Sequence, residues 1–160
     1  MCYFSRAVDR KTRAKAVKWL QDKLKDVDFD TIVVRGHSGV AMGSVIAHVM
    51  DKNLIIIRKP DEDAHSHEVA EYGNEVSRGR NRMKFIIIDD CVDSGETIKQ
   101  IHEGFKKAFP RRRPIFKGLY LYQDFGMFAD TMARGKIAFK GIDIAKNPIE
   151  YPVHVYGVYG

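Results

Sequence analysis

Cysteine is scarce in this sequence: Cys2 and Cys91 are the only two in 160 residues, and no CxxC spacing occurs. That scarcity argues against a disulfide scaffold and against a cysteine-based zinc site. Long apolar runs are missing as well. No stretch approaches the roughly 20 residues that a membrane span requires, and the first residues hold no apolar segment of secretory length. The expectation is a protein of the reducing cytoplasm with no membrane partner. Repeats, low-complexity tracts and proline- or glycine-rich linkers are absent too, so residues 1–160 are expected to form one domain.

The composition is that of a globular chain, 44% apolar and 30% charged, with a formal charge of +6. An excess of this sign suits an anionic partner, either nucleic acid or a small phosphorylated ligand. Arg111, Arg112 and Arg113 form the densest basic patch, between Pro110 and Pro114. Alone, the patch reads as a solvated turn.

Periodicity gives a coarse architecture. Ala14, Val17, Trp19, Leu20 and Leu24 fall near helical spacing within 9–25. The runs TIVVRG, NLIIIR, KFIIIDD and IFKGLYLY read as buried strands, and a small-residue segment, SGVAMGSVIAHVM, reads as a helix packed closely on a sheet. ETIKQIHEGFKKAF predicts a helix burying Ile98, Ile101 and Phe105. Lys59 to Lys84 is polar and reads as a long connection, a length usually tied to function. Short apolar pieces in the tail, KIAF and VHVYGV, read as small strands. Alternating helices and unbroken apolar strands predict a three-layer α/β fold, a parallel sheet flanked by helices. Ligands of such sheets sit at the strands' C-terminal ends, near the switch in strand order.

The most informative string follows the third strand: Asp89-Asp90-Cys91-Val92-Asp93-Ser94-Gly95-Glu96-Thr97. Adjacent carboxylates at a strand end are suited to a diol or a hydrated divalent cation, because ionised oxygens are strong acceptors and hard ligands. Ser94, Gly95 and Thr97 then open a helix, where unpaired N–H groups and hydroxyls can cradle a phosphate. Asp93 and Glu96 could equally form a capping box.

The string FIIIDDCVDSGET resembles the phosphoribosyl pyrophosphate (PRPP) signature of type I phosphoribosyltransferases. The resemblance implies that family's fold, with a core at about 31–122 and a small variable hood from 123–160 and the N-terminus. It implies ribose binding by Asp89 and Asp90, which would also hold Mg²⁺ directly or through water and PRPP. It implies 5-phosphate binding by Asp93, Ser94, Gly95, Glu96 and Thr97. An acid at Asp93 is similar to the 6-oxopurine branch, where it acts on the proton of purine N7. PRPP synthetases carry a similar string but need two tandem domains.

VVRGHSG sits where family members place a pyrophosphate loop, with Arg35 and Gly36 facing diphosphate and a non-proline cis peptide at Val34–Arg35. Backbone N–H groups at Gly36, Ser38 and Gly39 would be accessible, whereas His37 reads as a turn residue. IIIRKP followed by HEVAEYG resembles adenine and orotate enzymes, where an Arg-Lys pair opens a flexible loop; Arg58 and Lys59 would then bind pyrophosphate, and the Lys59–Lys84 stretch would close over the reacting centre. Tyr122, Gln123, Asp124 and Phe125 follow the fourth strand and could contact a base. His65 and His67 have ligand-like spacing without a third ligand, and Cys2 resembles an amidotransferase nucleophile without the glutaminase domain it needs.

The implied activity is Mg²⁺-dependent transfer of 5-phosphoribosyl from PRPP to a nucleobase, a purine rather than a pyrimidine. Pyrophosphate is released, as in nucleotide salvage by a homodimer. Arg35 and Lys59 would stabilise the leaving group and Asp93 would manage the proton. The substrate's own charge then accounts for the +6 without nucleic acid. The alternative is a PRPP-sensing regulator of the same fold that binds RNA or DNA.

Overall fold

A computed structural model describes residues 5–59, 68–79, 82–91, 96–123 and 153–156. Two N-terminal helices, α1 (Ser5–Val8) and α2 (Arg10–Leu24), precede the first strand. Asp9 caps α2, its Oδ2 accepting the Thr12 N–H at 2.9 Å, which satisfies one of the helix's orphan donors. The chain continues as β1 (Thr31–Arg35), α3 (Gly36–Val49), β2 (Asn53–Ile57), β3 (Ala70–Tyr72) and α4 (Asn74–Arg78). It ends with β4 (Arg82–Asp89), α5 (Glu96–Ala108), β5 (Arg113–Leu121) and β6 (Val153–Val155).

The strands form one six-stranded sheet in the order β3-β2-β1-β4-β5-β6. Every pairing is parallel except that of β3, an antiparallel edge strand on β2. Alternating side chains divide between two cores. Val33, Phe85 and Ile87 join Ile98, Ile101 and Phe105 of α5 on one face. Ile32, Val34, Ile86 and Ile88 join Trp19, Leu20 and Leu24 of α2 and Met42 and Ile46 of α3 on the other. Burial on both faces is why these strands are unbroken apolar runs. The small residues of α3 permit a close approach: a Cβ on Gly43 would stand 2.5 Å from Val34 Cγ1.

In its elements the structure differs from the sequence reading at the buried stripe of α2 and in the Lys59–Lys84 stretch. Ala14 is exposed and Ala16 takes its place in the core, because the buried stripe runs through Ala16, Leu20 and Leu24 at four-residue steps. The Lys59–Lys84 stretch is not one open connection: its described part contains β3 and α4, anchored by buried Ala70 and Val76. Residues 60–67, which include His65 and His67, lie outside the description, as do Cys2, the KIAF segment and most of the tail. The described tail residues join the body. β6 extends the sheet beside β5, and Tyr156 meets Trp19 edge-on at 5.5 Å.

Candidate functional site

The strand order reverses between β1 and β4. The chain runs outward from β1 to β2, then crosses to β4 on the other side, and this opens a crevice at the C-terminal ends of the central pair. Arg35 ends β1 and Asp89 ends β4, so residues far apart in sequence become neighbours.

Asp89 and Asp90 are buried, at 5% and 8% exposure. Asp89 Oδ1 accepts the Ser38 hydroxyl at 2.9 Å and the Asp90 backbone N–H at 2.9 Å. Asp90 Oδ1 accepts the Cys91 N–H at 2.8 Å. No lysine or arginine among the described residues forms an ion pair with either carboxylate. Burial, aided by the charge of Asp90, pushes the Asp89 carboxyl up to about 7 against the opposing hydrogen bond from Ser38.

Arg35 is the complementary case, a cation buried to 7% exposure with no carboxylate partner among the described residues. Its Nη1 donates to Gln100 Oε1 of α5, and its Nε has no partner there. Gln100 Nε2 in turn donates to Glu96 Oε1 at 3.1 Å, on the first turn of the same helix. Gly36 makes the exit from β1 at φ 74, a conformation that favours glycine. A Cβ there would stand 3.4 Å from Lys59 Cε, so the Lys59 side chain lies over the turn. The Val34–Arg35 peptide is trans, a correction to the resemblance: Arg35 stays in extended conformation, and the change of direction falls on Gly36.

The structure therefore brings Arg35, Gly36, Lys59, Asp89 and Asp90 to one edge of the sheet, with Glu96 and Thr97 opening α5 beside them. Asp93, Ser94, Gly95, Asp124 and Phe125 lie outside the described residues. Arg58 is directed to the sheet edge, where its Nη1 lies 3.5 Å from Glu71 of β3. Tyr122 is not a stacking surface. It is fully buried and its hydroxyl donates to the Ser38 carbonyl at 2.7 Å. Its place is set by strand parity, which puts Tyr120 and Tyr122 in one core with Ile86 and Ile88. Gln123 is half-buried, donates its backbone N–H to Asp90 O at 3.0 Å, and leaves its side-chain Oε1 without a partner among the described residues. His37 is exposed, as a turn residue should be.

Two residues carry more than their sequence context suggested. Ser38 orients Asp89 through its hydroxyl, whereas the sequence singles out only its backbone N–H. Gln100 holds Arg35, and its one sequence signal is the four-residue step from Glu96.

The arrangement defines the class first: an open α/β sheet with unmatched buried charges at its switch point. No family model matches the chain. It is 29% identical over 109 residues to the adenine phosphoribosyltransferase of Thermosipho africanus, covering 62% of this chain and 64% of that one. It is 29% identical over 146 residues to the enzyme of that name from Lachnoclostridium phytofermentans, covering 86% and 79%. The chain thus spans just under two thirds of the length of the Thermosipho relative. The solved adenine phosphoribosyltransferase of Thermoanaerobacter pseudethanolicus shares the fold, with a TM-score of 0.55 at 16% identity, over 92% of this chain and 80% of that one. The chain is thus similar in sequence to adenine phosphoribosyltransferases and has the fold of a solved one. These relatives are named for adenine, whereas the acid at Asp93 resembles the 6-oxopurine branch. Among the described residues no helix is long and apolar enough to cross a membrane.

Proposed function

We propose that the protein transfers 5-phosphoribosyl from PRPP to a purine, releasing pyrophosphate, with adenine the first acceptor to test. One observation carries this reading. A buried arginine without an acid and a buried carboxylate pair without a cation lie at adjoining strand ends, yet do not neutralise each other. Buried charges left in this way are expensive, by several kcal/mol per ion. A ligand bearing anionic oxygens at one end, and a diol or cation at the other, satisfies both.

The donor set fits Mg²⁺. Asp89 and Asp90 offer hard oxygens, and no cluster of three or more His, Cys, Asp or Glu side chains among the described residues forms a metal cage. A cation held by them would take its remaining ligands from water and substrate phosphates, as Mg²⁺ commonly does. When bound, Mg²⁺ supplies positive charge that stabilises departing diphosphate.

In this reading Asp89 and Asp90 hold the ribose hydroxyls, with Ser38 fixing the direction of Asp89. The start of α5, with Glu96 and Thr97 following Asp93, Ser94 and Gly95, receives the 5-phosphate at a helix N-terminus. Arg35 and Lys59 face the diphosphate, where charge builds as the glycosidic bond breaks. Asp93 takes a proton from the incoming base, a role that rests on its place in the motif. Gln123 is the remaining candidate for contact with the base.

The test is pyrophosphate release from PRPP with Mg²⁺ and each of adenine, hypoxanthine, guanine, xanthine, orotate and uracil. Adenine is expected to give a turnover signal. Alongside it, Asp89→Asn with Asp90→Asn should weaken PRPP binding by two or more decades, at roughly 1.5–3 kcal/mol for each charge-assisted contact. PRPP binding that ignores both substitutions would remove the ribose assignment.

A further inference from the structure

A buried guanidinium is useful only if it points in one direction. Arg35 has a single anchor among the described residues, the bond from Nη1 to Gln100 Oε1. Gln100 is itself held. Its amide nitrogen donates to Glu96 Oε1 at 3.1 Å, and an amide that spends its nitrogen on one side presents its carbonyl oxygen on the other. Glu96 accepts only, so it selects the amide orientation that offers Arg35 an acceptor. Reversal would set an NH₂ group against the guanidinium.

We propose that Gln100 is a positioning residue that, oriented by Glu96, aims the Arg35 guanidinium at the anionic end of the ligand. The inference rests on the PRPP reading of the site. It links two parts of that site by a continuous path of hydrogen bonds. Glu96 opens the helix that follows the phosphate string, Gln100 lies one turn further in, and Arg35 ends the neighbouring strand β1. Ordering the start of α5 around one phosphate thereby sets the arginine for the other end of the same molecule. A neutral amide suits the task better than a carboxylate. It fixes direction without neutralising the charge that the ligand has to meet.

The experiment is a double-mutant cycle read as affinity for Mg-pyrophosphate and, separately, for PRPP, by calorimetry on the full chain. Gln100→Leu removes the acceptor at similar volume, and Arg35→Ala removes the group being aimed. Each single change is expected to weaken binding by about 10- to 100-fold, the worth of a hydrogen bond to a charged group. The double variant is expected to bind no worse than Arg35→Ala, because Gln100 acts only through the arginine. If the two losses multiply, or if Gln100→Leu binds like the wild type, the proposal is overturned. A purely structural glutamine would go on weakening binding in the Arg35→Ala background. Gln100→Met provides the same arms if the leucine variant does not fold. Wild-type protein that binds neither ligand would overturn the PRPP reading and this inference with it, whereas wild-type binding with multiplicative losses would overturn the Gln100 assignment alone.

Discussion

The Tyr122 hydroxyl donates to the Ser38 carbonyl at 2.7 Å, and the Ser38 hydroxyl donates to Asp89 Oδ1 at 2.9 Å. One serine thus ties the residue after β5 to the carboxylate that ends β4. Tyr122→Phe should lower stability by about 1–3 kcal/mol, the usual result of leaving a buried polar group without its partner. Thermal melting checks this. PRPP affinity should fall less than in Asp89→Asn, since Ser38 keeps its own hydroxyl. A melting point equal to that of the wild type would mean that the hydroxyl is dispensable.

Asp89 gives a pH prediction. Its carboxyl is held at about 7 in the folded protein against 3.8 as the ordinary value. The folded state therefore keeps a proton that the unfolded state releases. Stability from this group is full below about pH 4 and is lost as pH rises through 7. Asp89→Asn mimics the protonated form, so without ligand it should exceed the wild type in stability at pH 8, by on the order of a few kcal/mol at most. The advantage should shrink towards pH 4. Denaturant titrations across that range would show it, and a variant less stable than the wild type at pH 8 would refute it.

His102 runs the other way. Its ring lies against Phe85 and Phe116, its Nε2 has no partner among the described residues, and burial pulls it down to about 4. The unfolded state takes up its proton near pH 6.5, well before the folded state does, so stability from this group is lost as pH falls from 6.5 towards 4. His102→Phe should be more stable than the wild type at pH 5, by about 1–2 kcal/mol, with a smaller difference at pH 8. Parallel pH dependences for the two proteins would count against a buried neutral imidazole.

For Asp93→Asn the expected outcome is PRPP affinity close to that of the wild type with turnover lower by about 10²–10⁴-fold. A helix cap alone would instead move the melting point slightly and leave the rate unchanged, since asparagine also caps well. Steady-state kinetics beside a melting curve separates the two.

Much of this was legible in the chain because β1, most of β4 and the C-terminal half of β5 are buried on both faces, and β2 is buried or half-buried throughout, which leaves apolar runs without alternation. Asp89 and Asp90 stand out because acids directly behind such a run have no structural reason to be there. β3 was not legible: of its three residues only Ala70 is buried, too short a signal to register. Tyr122 was misread because an aromatic at a strand end suggests a ligand, although its two-residue step from Tyr120 already placed it in the core. Gln100 looks like any polar residue on an amphipathic helix. Its role depends on Arg35 arriving from another strand, and no local pattern encodes that.

The sheet order also governs when in the life of the chain a ligand can be held. β4 lies between β1 and β5, yet the polypeptide visits β2, β3 and α4 before supplying it. Pairing β1 with β4 closes a long loop, a slow, non-local step. A nascent chain leaving the ribosome carries Arg35 early and Asp89 late, and until β4 is made the strand-end pair Asp89 and Asp90 is missing from beside the arginine. On the PRPP reading, half-made or half-folded copies therefore lack a complete site, and capture is reserved for molecules whose central strand has been inserted.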